Sequence, residues 1–326
     1  MADRARVLYY GLLAYQPDNL ELLKSEFDVI ELPTPVEDSD DVLAGIDACF
    51  APLGYRFDSA KMGRCPNLRA IISNTTGVPH IDMEATASRG IQVFSLKDEQ
   101  DFLDTITPTA EHAFGLMLAL LRRTPWSFDA VLDGTWNRFD FGSPAMLSRL
   151  SLGVIGLGRL GRKLAAYGAA FGMSVRYFDP YVPQSAESPE RIDSLTDLLA
   201  LSDVVSLHVP ANESTHHLLD RLAFTHLKPS AVLINTARGE IVDERALLQA
   251  LEAGSLAGAA IDVLDGEYEP GFRAADHPLV GYARSNSNLL ITPHIAGSTV
   301  DAWRETQRRV IDMAVLYFAG KTARAR

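Results

Sequence analysis

The residues most able to do chemistry fall in four places. The run Gly156-Leu157-Gly158-Arg159-Leu160-Gly161 follows an apolar stretch ending at Ile155 and opens a helical pattern. Its first glycine permits a sharp turn out of a strand. Its second lets backbone approach a pyrophosphate, and its third lets helix and sheet pack closely. The phosphates would then sit at a helix N-terminus, where N–H groups and the helix dipole favour negative charge. Glycine turns also join strands to helices without any ligand, so spacing carries the reading. Asp179 lies 179 − 161 = 18 residues after Gly161, near the ~20 expected of an acid on ribose hydroxyls. An acid there repels a 2′-phosphate, which points to NAD rather than NADP. Arg176 stands nearby along the same strand-like run and does not reverse this.

The other three places each follow an apolar run. Arg238, in Thr236-Ala237-Arg238-Gly239, carries a planar fork suited to a carboxylate. Its bland alternative is an ion pair with Glu240 or Asp243. The stretch Asp262-Val263-Leu264-Asp265-Gly266-Glu267-Tyr268-Glu269 holds four carboxylates, and a surface acidic loop would look the same. His294 is followed by small residues that leave room beside it. A nearby carboxylate would orient its ring and raise its pKa, so that it could take a proton from a hydroxyl and return it.

Short apolar strands alternate with helical patterns along the chain, which predicts parallel α/β sheets. Five strands precede residue 95. Six more, from Leu152 to Thr292, form a dinucleotide-binding half. Between them, 108–123 is a helix capped by Thr107 or Thr109. It is apolar nearly all round, and therefore expected in an interdomain spine or a subunit interface. Segment 124–144 lacks periodicity and is rich in aromatics. It reads as a dimer arm or as a loop folded over its own domain.

Glycine turn, ribose acid, Arg, acidic loop and His, in that order, resemble the NAD-dependent D-isomer specific 2-hydroxyacid dehydrogenase family. Three further stretches are similar to its motifs: Thr75-Thr76-Gly77-Val78-Pro79-His80-Ile81-Asp82, Thr109-Ala110-Glu111-His112 and Leu207-His208-Val209-Pro210. The resemblance implies a Rossmann NAD-binding domain, residues 103–295, inserted into a flavodoxin-like substrate domain of residues 1–102 and 296–326. It implies Arg238 as the group binding substrate carboxylate and keto oxygen, and His294 as general acid/base. Backbone N–H groups of Thr75, Thr76 and Gly77 would hold the carboxylate. Gly156, Gly158, Arg159, Leu160, Gly161, Asp179, His208, Val209, Pro210, Thr236, Ala237 and Thr109 would line the cofactor site, with Asp262 on the nicotinamide carboxamide.

The acid paired with His294 is open on this likeness. The family spacing after Asp262 selects Glu267, and the family's following Pro selects Glu269. Position relative to a strand end favours Glu267. Segment Ser95–Asp104 departs from the family pattern and could reshape the pocket.

The reading is therefore an enzyme that interconverts a D-2-hydroxy acid and its 2-keto acid with NAD. A cofactor-sensing, corepressor-like interaction protein and a formate dehydrogenase-like enzyme are the alternatives. A phosphate-bearing substrate would want basic groups such as Arg56, Lys61 and Lys97. A chain of 326 residues is expected to carry no appended regulatory domain.

Composition bounds the rest. A net charge of −12 without a basic tract argues against nucleic acid, and the tail Lys321–Arg326 reads as a solvated terminus. Cys49 and Cys65 lack metal-ligand spacing and suit a reduced, cytoplasmic protein. With no signal peptide and no apolar run of ~20 residues, neither secretion nor a membrane is expected. A homodimer follows from the family likeness and the aromatic arm.

Overall fold

The computed structural model describes residues 4–269 and 271–320, so Lys321–Arg326 and Pro270 lie outside the described residues. The chain divides into two units. One runs to Ile106 and resumes at Ser298; the other is Thr107–Gly297. The divisions thus fall after Ile106 and Gly297, where the sequence places them after residues 102 and 295.

The first unit holds strands β1 (Arg6–Tyr10), β2 (Asp28–Leu32), β3 (Ala48–Phe50), β4 (Ala70–Ile72) and β5 (Gln92–Phe94). All pair in parallel in the order β2-β1-β3-β4-β5, the flavodoxin-like order. β3 and β4 are buried at every residue, as strands covered on both faces are. Thr299 caps the helix Val300–Phe318 by accepting the Ala302 N–H. That helix buries Val310, Ile311 and Ala314 in one core with Val7, Phe50 and Ile72. Segment Ser95–Asp104 is anchored in the same core through Leu96 and Leu103. Residues Gln100–Leu103 form one helical turn, and Glu99 pairs with Arg309.

The second unit holds β6 (Ser151–Ile155), β7 (Ser174–Phe178), β8 (Glu190–Arg191), β9 (Val204–Leu207), β10 (Val232–Asn235), β11 (Gly258–Ile261) and β12 (Leu289–Ile291). The order is β12-β11-β10-β9-β6-β7-β8, again parallel. Six strands are the sequence expectation. The seventh, β8, has no apolar run to announce it and is held by pairing with β7 and by the Arg176–Glu190 ion pair. Chain order reverses at β6, between β7 and β9. Ligands bind beyond the carboxyl ends of strands at such a switch point.

Three sequence expectations gain detail here. The apolar helix is Pro108–Leu121. It packs on the helix Arg159–Ala170 and on β10, β11 and β12, burying Ala110, Ala113, Phe114, Leu116, Met117 and Leu120 within its own unit. Thr107 stands at its N-cap position, but its hydroxyl donates to Glu111 instead of accepting a backbone N–H. Segment 124–144 is not wholly irregular: Thr124–Leu132 is a helix begun by Pro125, whose fixed φ suits a first turn.

Candidate active site

The glycine turn sits at the end of β6. Gly156 has φ +89°, and a Cβ there would lie 2.8 Å from the His208 carbonyl oxygen. A Cβ at Gly161 would lie 2.0 Å from the Gly156 oxygen, so the turn and the helix meet backbone to backbone. Gly158 differs: a Cβ there would meet nothing within 4 Å. Packing within the protein therefore does not require glycine at 158, whereas close approach of this backbone to a pyrophosphate would. The helix Arg159–Ala170 begins with no side-chain cap and no acid in its first turn, which suits an anion.

Asp179, at the end of β7, is buried. One carboxylate oxygen accepts the Leu157 N–H at 2.8 Å, and the other accepts those of Tyr181 and Val182. Asp179 thus sets the shape of the glycine turn from the neighbouring strand. Arg176, on the same strand, is engaged by Glu190 at 2.7 Å. Beyond β9, His208 places Nε2 2.9 Å from the Ser206 hydroxyl, and burial pushes its pKa down to about 4. It is a neutral support beneath the turn, with Val209 packed against Gly156 and Pro210 exposed. The buried Thr236 hydroxyl has no partner among the described residues. An open Gly158, an uncapped helix start and an orphaned hydroxyl fit a dinucleotide. Thr109 lies at the same edge, its hydroxyl 3.7 Å from where a Gly297 Cβ would be.

Arg238 follows β10. Asn235 pins its loop by accepting the Ala237 N–H and donating to the Arg238 carbonyl. The guanidinium donates to the Ala237 carbonyl at 2.7 Å. Neither Glu240 nor Asp243 pairs with it: Asp243 is occupied capping the helix Glu244–Glu252. No carboxylate among the described residues pairs with Arg238. A Cβ at Gly239 would lie 2.1 Å from the Asp265 nitrogen, so this loop and the one after β11 touch at that point.

His294 follows β12 with φ +52°, a left-handed conformation that costs a non-glycine residue energy and needs fixing by its surroundings. Asp262 does the fixing. Its backbone oxygen accepts the His294 N–H at 2.9 Å. Its carboxylate accepts from Ile295 N–H (3.0 Å), Ala296 N–H (2.7 Å) and the Thr292 hydroxyl (2.5 Å). His112 closes the cluster, with Nε2 3.0 Å from Thr292 Oγ1. Burial opposes the Asp262 charge, but these hydrogen bonds hold its carboxyl below the usual range. The Asp262 side chain is fully buried, and its hydrogen bonds hold the His294 loop.

The imidazole Nδ1 lies 2.7 Å from Glu267 Oε1. Glu269 makes no such contact; its N–H turns back to the Gly266 carbonyl. No described residue hydrogen-bonds to Nε2. The Glu267 loop is itself anchored. Glu244 accepts the Asp265 N–H at 2.9 Å and pairs with His277 at 2.9 Å, and burial raises its pKa to about 7. Sequence reasoning missed His112, Glu244, His277 and Tyr268. His112 stood inside a quoted motif. The others give no signal before β10, β11 and β12 lie side by side.

In the first unit, Thr75 donates its hydroxyl to the Gly77 carbonyl, and no described group accepts the N–H of Thr75, Thr76 or Gly77. Lys61 is not available to a phosphate: its ammonium lies 2.6 Å from the buried Asp38 carboxylate and 3.1 Å from the Tyr10 hydroxyl.

Fold and site together define a dinucleotide-binding α/β protein with a His–Glu pair in the loops that follow β11 and β12. Residues 114–296, more than half of the chain, match the description of the D-isomer specific 2-hydroxyacid dehydrogenase NAD-binding domain. The chain is 34% identical over 316 residues to a glyoxylate reductase of Aeropyrum pernix, covering 91% of this chain and 88% of that one. It is 32% identical over 297 residues to a D-3-phosphoglycerate dehydrogenase of Bacillus subtilis, covering 90% of this chain and 54% of that one. The chain thus spans about half the length of the phosphoglycerate dehydrogenases it matches. A solved D-lactate dehydrogenase of Aquifex aeolicus, complexed with NAD and lactic acid, superposes with a TM-score of 0.81 at 27% identity, over 96% of each chain. The chain belongs to the D-isomer specific 2-hydroxyacid dehydrogenase family, and residues 114–296 are its NAD-binding domain.

Proposed function

We propose that the protein interconverts a D-2-hydroxy acid and its 2-keto acid with NAD(H). The observation that carries this reading is the Glu267–His294 pair at 2.7 Å, which leaves Nε2 without a protein partner at the same sheet edge as an Arg238 that no carboxylate engages. NAD supplies the hydride acceptor in oxidation and, as NADH, the hydride donor in reduction. His294 gives a proton from Nε2 to the carbonyl oxygen as C2 is reduced, and takes it back from the hydroxyl in the other direction. Glu267 holds the Nδ1–H, which fixes the tautomer and stabilises the imidazolium. Arg238 polarises the keto oxygen and binds the carboxylate.

Gly158 and the helix start at Arg159 hold the pyrophosphate, and Asp179 the adenosine ribose. With Arg176 paired to Glu190, NADH is favoured over NADPH. The protein works in the cytoplasm as a homodimer joined through the exposed aromatics after residue 124. Oxidation of NADH, followed by its absorbance against glyoxylate, hydroxypyruvate, pyruvate, a branched 2-keto acid and a phosphorylated one, with NADPH in parallel, tests the reading. Turnover of one keto acid with NADH is expected. Tight NADH binding with no turnover of any would overturn it in favour of a cofactor sensor.

A further inference from the structure

Two groups, not one, converge on the inner nitrogen of the His294 ring. Glu267 Oε1 lies 2.7 Å from Nδ1 and the Tyr268 hydroxyl lies 3.0 Å from the same atom. The tyrosine and imidazole rings stand with centroids 5.7 Å apart at 49°. We propose that Tyr268 is a positioning residue for His294: its oxygen shares the Nδ1–H with Glu267, and its ring holds the imidazole plane so that Nε2 faces the reacting oxygen. This rests on His294 being the acid/base of the reading above.

A ring nitrogen carries at most one proton. A carboxylate is the stronger acceptor and sits closer, so the proton resides on Nδ1 and points to Glu267. The phenolic oxygen then accepts from the same N–H as a second partner. Its own proton stays in place: burial first, then the charge of Glu267, hold the phenol above its usual range, while Arg238 pulls the other way. Glu240 and Asp262 are the remaining charges acting on it.

The need for a second hold follows from the backbone. The His294 main chain is fixed by its left-handed turn and by Asp262, but no described hydrogen bond other than those to Nδ1 restrains the ring. A single hydrogen bond leaves the ring free to swing about that contact. A second contact at the same atom, with an aromatic ring alongside, removes that freedom.

The test uses the full chain, Tyr268→Phe, Glu267→Gln and the double variant, on the accepted keto acid with NADH. Phe keeps the ring and deletes only the oxygen. Tyr268→Phe is expected to lower kcat about threefold to tenfold, the worth of one hydrogen bond, and to leave KM within about twofold. The alkaline limb of the pH profile for keto-acid reduction, where His294 must be protonated, and the NMR titration of ¹³C-labelled His294, assigned by its loss in His294→Ala, should both move to lower pH. Glu267→Gln should cost more in the Phe background than in the parent. An unmoved His294 titration and an unchanged kcat in Tyr268→Phe would overturn the assignment of Tyr268 alone. A parent that reduces no keto acid overturns the acid/base reading, and the catalytic role of Tyr268 with it.

Discussion

At the scale of single residues, the proposed function rests on groups with one free face. His294 presents Nε2 while Nδ1 is engaged. His294→Ala should lower kcat by about 10²- to 10⁴-fold, the usual worth of general acid/base catalysis. The NADH dissociation constant, read by fluorescence titration, should not change, because the imidazole is not part of the glycine turn. Arg238 donates only to its own loop. Arg238→Gln removes a charge-assisted fork and should reduce kcat/KM about 10- to 100-fold. Steady-state kinetics with the accepted keto acid measure this, and Arg238→Lys should recover only part of the loss, since an ammonium cannot bind a carboxylate side-on.

At the scale of elements, the glycine turn separates two duties that look alike in sequence. Gly161→Ala puts a methyl 2.0 Å from the Gly156 carbonyl, against backbone that cannot give way locally. The helix Arg159–Ala170 must shift, and thermal unfolding should show a marked loss of stability. Gly158→Ala puts its methyl in open space. Stability should stay within about 0.5 kcal/mol, while calorimetry should show NADH binding weakened at least about tenfold, because the methyl stands where backbone must approach phosphate. Equal effects of the two substitutions would mean that Gly158 has no ligand to admit. The loop after β11 shows the same division. Glu244 and Asp262 hold backbone, and by doing so they place Glu267 and His294.

At the scale of the whole molecule, two expectations concern assembly and acid stability. Phe128, Leu132, Trp136 and Phe139, close in sequence, are 62%, 69%, 89% and 75% exposed, and the proposed homodimer would cover them. Sedimentation velocity should find a dimer, and a Trp136→Ser/Phe139→Ser double variant should shift it toward monomer. A parent that sediments as a monomer would remove the dimer from the proposal. His208 couples folding to pH. Its pKa falls from 6.5 to about 4 on burial, so above pH 6.5 both folded and unfolded chains hold it neutral and it has no effect. As pH drops from 6.5 toward 4, the unfolded chain takes up a proton that the folded one refuses, and stability declines by roughly 3 kcal/mol at most. Urea unfolding of the parent and of His208→Gln across that window should show a shallower acid loss in the variant.

Much of this architecture is a local property of the chain. Eleven strands are legible because buried parallel strands are short apolar runs. β8 is not, because a two-residue Glu190–Arg191 strand has only its neighbour to define it. The helix Thr124–Leu132 escapes notice because only Trp126 packs on the core while Phe128, Val131 and Leu132 are exposed, without the one-sided stripe that core packing imposes. The sequence by itself determines which chemistry-bearing residues follow which strand, since a glycine turn, a guanidinium, an acidic stretch and an imidazole are recognisable one at a time. Only the tertiary structure decides how they pair. Register between β11 and β12 brings Glu267, not Glu269, to His294, commits Asp262 to the His294 loop and sets Tyr268 against the same ring. Those contacts join residues 26 to 34 positions apart, and adjacent strands only ~5 Å apart bring their ends together in a way that spacing along the chain does not encode.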